Sequence, residues 1–122
     1  MTTCLVIDDV EVTRYVATEF LSDMGVNVLI ANNGEEALKT LRQKPVDVVL
    51  LDWHLGHSSG IDLLHEIRAE FGDRLAVVVF SGIESHSRAH EALDAGANSF
   101  LVKPTTREKL ERCLKELHLP IG

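Results

Sequence analysis

The sequence predicts a doubly wound α/β domain, a five-stranded parallel sheet of strand order 2-1-3-4-5 flanked by five helices. Three observations carry this expectation. Short apolar runs alternate five times with longer stretches of helical periodicity, a pattern that yields parallel strands joined by right-handed crossovers. The runs Val46 to Leu51 and Leu75 to Phe80 are continuously apolar, as strands buried on both faces must be. No linker, repeat or low-complexity segment divides the 122 residues, so residues 1–122 are expected to form one domain around one core.

Thr3 to Ile7 forms the first strand and ends at Asp8-Asp9. From Glu11 to Met24, Val12, Val16, Phe20 and Met24, with Ala17 and Leu21 beside them, give one helical face, and Gly25 is the stop. Asn27 to Ala31 is a shorter, more polar strand and is placed at an edge. Asn32-Asn33-Gly34 has turn and cap chemistry. Glu35 to Gln43 follows as a helix with Ala37, Leu38 and Leu41 on one side, closed by Pro45.

The third strand, Val46 to Leu51, is central and stops abruptly at Asp52. His54 to Gly60 reads as a loop. Ile61, Leu64, Ile67, Arg68 and Phe71 mark a third helix ended by Gly72. Leu75 to Phe80 is the fourth strand, ending in Ser81-Gly82. Ser85 to Ala95 is helical but thinly apolar (Ala89, Ala92, Leu93), with Gly96 as its stop. Ser99 to Val102 is the fifth strand, at the other edge, followed at once by Lys103-Pro104, an X-Pro bond that can be cis. Thr105-x-x-Glu108 reads as a capping box opening a last helix with Leu110, Cys113, Leu114 and Leu117 on one face.

Apolar residues make up 45% of the chain and aromatic residues only 5%, so the core must be mostly aliphatic. A net charge of −7 argues against a nucleic-acid surface and suits a cation or a basic partner. Cys4 and Cys113 lie far apart in apolar surroundings and are assigned to the core. There is no signal-like N-terminus and no apolar run of membrane-spanning length, which makes a cytoplasmic protein the expectation.

In a parallel sheet the strand ends of one sense share one edge, which is where ligands bind in open α/β folds. Asp8, Asp9, Asp52, Ser81 and Lys103 each directly follow a strand and therefore gather there. Clustered carboxylates repel unless a cation neutralises them, and a few hard oxygen ligands suit Mg²⁺. Such a cation, an ammonium and a hydroxyl form a clamp for phosphoryl oxygens, with Asp52 as a carboxylate nucleophile. No glycine-rich fingerprint follows the first strand, which argues against dinucleotide binding. His86 and His90, four apart on a helix, have a zinc-compatible spacing but no evident third ligand.

The set Asp8-Asp9, Asp52 closing an apolar strand, Gly60, Ser81, Phe100 and Lys103-Pro104 resembles the receiver domain of two-component response regulators, of the chemotaxis response regulator type, over essentially the whole chain. The resemblance implies a flavodoxin-like fold and a phosphorelay role. Asp52 would accept a phosphoryl group from a sensor histidine kinase or a histidine phosphotransfer protein. Asp9, Asp52 and the backbone carbonyl of His54 would bind Mg²⁺ directly, with Asp8 acting through water, while Ser81 and Lys103 hold phosphoryl oxygens. Ser81 would move inward and Phe100 would swing after it, switching the face made by the fourth helix, fifth strand and fifth helix, where a downstream protein target would bind. Family members often dimerise through the last helical face, so a homodimer is also implied.

Several positions depart from the family pattern. Ser81 stands where Thr is more frequent, Gly82 where Ala is usual, and Phe100 where Tyr is common. Gly56 takes a position often held by Pro, which predicts a mobile loop from Gly56 to Gly60. Two other functions compete. One is a phosphohydrolase with an Asp nucleophile, whose Asp-x-Asp pattern is broken here by His54. The other is a receiver-like module that binds partners without phosphorylation, against which the complete set of site residues argues.

Overall fold

The computed structural model describes residues 1–56, 58–82 and 86–121. The sheet strands are β1 (Thr3–Ile7), β2 (Asn27–Ala31), β3 (Val48–Asp52), β4 (Ala76–Ser81) and β5 (Ser99–Val102). The helices are α1 (Glu11–Asp23), α2 (Gly34–Gln43), α3 (Gly60–Phe71), α4 (His86–Asp94) and α5 (Arg107–Glu116). All strand pairings in the sheet are parallel and the order is β2-β1-β3-β4-β5, as expected from the sequence.

Alternation along the strands divides the core between two faces. Leu5, Ile7, Val49, Leu51, Val77 and Val79 pack against α2, α3 and Ala92 of α4. Cys4, Val6, Val48, Leu50, Val78 and Phe80 pack against α1 and α5. Both cysteines are free thiols in the core, and burial pushes the Cys4 pKa up to about 12.

Register aligns the strand ends. Ile7 pairs with Leu51, Asp52 with Phe80, and Ser81 with Val102. Asp8 therefore leaves β1 level with Asp52, and Lys103 leaves β5 one step past Ser81.

The structure corrects four local expectations. The inner face of α1 is shorter than expected: Ala17, Leu21 and Met24 are buried and Phe20 packs against the core, while Val12 and Val16 are 72% and 41% exposed. An apolar slot of about 240 Å³ lies between the start of α1 and Leu50, Phe80 and Pro104, so the first turns of α1 have no core beneath them. Helix α5 is capped by Thr106, which accepts from the Lys109 N–H at 3.1 Å, and not by Thr105. A Thr106 cap places Lys109, which cannot complete a capping box, at the third helical position. Strands β3 and β4 start and end later than their apolar runs, because Asp52 and Ser81 still make ladder pairs.

The fourth correction concerns the segment after β3. His54–Leu55 and Ser58–Ser59 pair as a short antiparallel ladder, so this is not a featureless loop. Gly56 has φ 60°, a conformation that Pro cannot adopt. The predicted start of α4 at Ser85, His57 and the final Gly122 lie outside the described residues, as does the side chain of His86. His90, its partner in the zinc-spaced pair, is exposed with Nε2 3.2 Å from Asp94.

Arg68 ties the opposite end of the domain together. Its guanidinium donates to the carbonyls of Gly96 (2.9 Å), Gly72 (2.8 Å) and Leu75 (2.7 Å) and to Asn98 Oδ1 (2.8 Å). Arg68→Ala is expected to lower stability by about 2 kcal/mol, since several carbonyls lose a charged donor at once. Urea denaturation would show the midpoint falling with little change in slope.

Candidate functional site

The site is built from strand tips. Asp8 is fully buried; its Oδ1 accepts from the Val10 N–H at 2.8 Å, and its Oδ2 lies 3.2 Å from Lys103 Nζ. Asp52 is 5% exposed, and its Oδ1 lies 3.2 Å from the same ammonium. The His54 N–H points at Asp52 Oδ1 from 3.4 Å. Lys103 also sits over the Phe80 ring at 4.6 Å, which fixes its stem within the cluster. The Lys103-Pro104 bond is cis.

Asp9 is exposed at the mouth, and one oxygen from each of Asp8, Asp9 and Asp52 lies within 4.8 Å of the others. Burial raises the Asp52 pKa above the ordinary carboxylate value, and the Asp8 charge raises it further. The Lys103 ammonium and the His54 N–H oppose that rise without cancelling it. The two buried carboxylates share the Lys103 ammonium and a third stands at the rim, so the donor set fits a small hard cation.

Gly60 explains why no larger residue can start α3. A Cβ there would lie 2.1 Å from the Asp52 carbonyl oxygen, and the Gly60 N–H donates to the Trp53 carbonyl at 2.7 Å. The backbone carrying Asp52 is thus held from behind. Ser81 is fully buried, and its carbonyl accepts from the Lys103 N–H at 2.7 Å.

Asp8, Asp9, Asp52, Ser81 and Lys103 therefore converge as the sequence predicts. His54 directs its backbone N–H at Asp52, while its side chain is exposed and reaches α4. Phe100 is half-buried and stands edge-on to Trp53, with centroids 6.3 Å apart and an interplanar angle of 86°. Trp53 itself is buried.

One residue was missed. Arg88 of α4 donates from Nη1 to Ser81 Oγ at 3.0 Å, lies 3.2 Å from His54 Nε2, and sits 4.8 Å over the Trp53 ring. A signal existed in the sequence: a cation in a helix's first turn opposes the helix dipole. That turn, following the Ser81 strand, opens at the carboxyl edge.

The response regulator receiver domain family matches residues 4–115. This chain is a response regulator receiver domain. It is 34% identical to chemotaxis protein CheY-3 of Vibrio cholerae over 119 residues, covering 93% of this chain and 92% of that protein. It is 36% identical to the transcriptional regulatory protein ZraR of Klebsiella oxytoca, covering 92% of this chain but only 25% of that protein. Among solved structures, V. cholerae CheY4 superposes with a TM-score of 0.89 at 26% identity, covering 95% of this chain and 98% of that one. A response regulator from Burkholderia pseudomallei, solved with a phosphorylated aspartic acid, a calcium ion and citrate, superposes at 0.85 with 30% identity, covering 97% and 71%. Receiver domains are the phosphorylation-activated signalling domains of two-component systems, and they generally bind Mg²⁺ at an acidic pocket.

The raised pKa of Asp52 has a measurable consequence. Between the ordinary carboxylate value and the raised one, the folded receiver holds a proton that the unfolded chain has released. Stability therefore falls as pH rises through that window. Without divalent cations, Asp52→Asn is expected to melt above wild type at pH 7. Thermal melts at successively lower pH should show that gap closing as the wild-type carboxyl becomes protonated.

Proposed function

We propose that Asp52 is the phosphoacceptor of this receiver, charged by a sensor histidine kinase or a histidine phosphotransfer protein. The observation that carries this reading is the Asp52 carboxylate, buried at a strand tip and 3.2 Å from Lys103, inside a three-carboxylate cluster. The carboxylate oxygen would attack phosphorus as the nitrogen–phosphorus bond of the donor breaks. The bonding pair leaves with the imidazole, and a carboxyl–phosphate anhydride forms. Lys103 and Ser81 would hold the phosphoryl oxygens. The phosphorylated aspartic acid and the calcium ion of the B. pseudomallei relative support an aspartate acceptor beside a divalent cation.

Mg²⁺ is the cation we assign to Asp8, Asp9, Asp52 and the His54 carbonyl, where it would supply charge to offset the carboxylates and the arriving phosphoryl group. Asp8 already spends one oxygen on the Val10 N–H and the other on Lys103, which suits a role through water. Asp9, exposed and packed beside Gly56, suits direct ligation.

Partner surfaces follow from exposure. Val12 and Val16, with Tyr15 65% exposed beside them, flank the slot that runs to Lys103 and Pro104, and we assign this rim to the phosphodonor protein. The α4–β5–α5 face, with Leu93 49% exposed, is assigned to the downstream target and to any homodimer. Movement of Ser81 toward the phosphoryl group and rotation of Phe100 would switch it. The domain spans residues 1–122 and acts in the cytoplasm as a switch, not as a turnover enzyme. Among the described residues no helix is long and apolar enough to cross a membrane. The −7 charge speaks against nucleic-acid binding by this domain.

Intact mass after incubation with acetyl phosphate tests the reading. Wild type with Mg²⁺ is expected to gain one phosphoryl group, and neither EDTA-treated wild type nor Asp52→Asn should gain any. An unmodified wild type that also fails to bind beryllofluoride would favour a phosphorylation-independent binding module.

A further inference from the structure

Arg88 stands outside the set of residues that the phosphoacceptor reading uses, yet it reaches into that site. Its Nη1 approaches Ser81 Oγ at 3.0 Å and His54 Nε2 at 3.2 Å, and its guanidinium covers Trp53 at 4.8 Å. Those groups lie at the end of β4 and just after β3. Arg88 belongs to α4, a helix with little apolar surface of its own, in which Ala92 is the fully buried anchor. The first turn of α4 has no acidic residue to suit the helix dipole, so a guanidinium there opposes it. Its contacts with Ser81, His54 and Trp53 can offset that cost.

We propose that Arg88 is a positioning residue that links the state of Asp52 to α4 through the Ser81 hydroxyl. The inference rests on Asp52 being the phosphoacceptor. Ser81 Oγ accepts from Arg88, and a hydroxyl can accept one hydrogen bond while donating another. The guanidinium therefore orients the hydroxyl that a phosphoryl oxygen would engage, and it adds positive charge beside the incoming anion. When Ser81 moves toward the phosphoryl group, Arg88 is drawn with it. Arg88 then shifts against Trp53, whose ring also meets Phe100 edge-on at 6.3 Å. The series Arg88, Trp53, Phe100 thus joins α4 to β5 across the site. Lys at this position would keep the charge but lose the planar stacking and the fixed fork.

Beryllofluoride, an aspartyl-phosphate mimic, is the probe, and Trp53, the single tryptophan of the chain, is the reporter. Affinity for beryllofluoride with saturating Mg²⁺ would be measured for wild type, Arg88→Gln and Arg88→Lys, with the fold of each checked by circular dichroism. Loss of a charge-assisted hydrogen bond should weaken binding about tenfold or more in Arg88→Gln and suppress the change in Trp53 fluorescence. Arg88→Lys should recover part of the affinity but not the full fluorescence response. Affinity in Arg88→Gln within about twofold of wild type would overturn the proposal. Equal losses in both variants, accompanied by equally lowered melting temperatures, would assign Arg88 to packing alone and also overturn it. A wild type that does not bind beryllofluoride would instead defeat the phosphoacceptor reading itself.

Discussion

The contact on which the rest depends is the sharing of one ammonium by two buried carboxylates. Lys103 Nζ lies 3.2 Å from both Asp8 and Asp52, at the tips of three different strands. Burying two like charges side by side is costly, and one cation reduces that cost without removing it. What remains is a site with a standing demand for positive charge, held in place by a sheet whose register cannot slip. A slip of one residue would turn every apolar side chain of β3 to the wrong face. The aliphatic core is therefore what fixes the position of the charges.

The same frame suits the proposed response of the site to phosphorylation. Asp52 is braced by its own backbone, with Gly60 pressed against its carbonyl. The groups around it come from other elements. Ser81 ends β4, Phe100 lies on edge strand β5, and Arg88 comes from α4, which buries little of itself. With Asp52 as the proposed acceptor, groups drawn from several elements around one carboxylate suit a bistable element biased by local charge.

The legible parts of the molecule were those set by periodicity and chain order. Sheet order, the two edge strands and the meeting of Asp8, Asp9, Asp52, Ser81 and Lys103 all follow from alternating apolar runs and parallel strands. Less legible were features decided by contact at a distance. Val12 and Val16 read as part of the inner face of α1 with Ala17 and Leu21, yet they are exposed, because the inner face of a helix depends on what lies beneath it. Thr105 and Thr106 are both competent caps, and only the path of the chain after Pro104 selects Thr106. Arg88 was hidden for the opposite reason. Its neighbours in sequence give no apolar pattern that singles it out, and its partners lie on residues 34 and 7 positions away.

The most direct test is to locate the phosphoryl group itself. Borohydride reduces an acyl phosphate to the corresponding alcohol, so reduction of the acetyl phosphate-treated protein followed by peptide mass mapping marks the acceptor. Conversion of Asp52 alone to homoserine is the predicted result. Conversion at Asp8 or Asp9 in place of Asp52 would contradict the assignment of the buried, lysine-paired carboxylate as the phosphoacceptor.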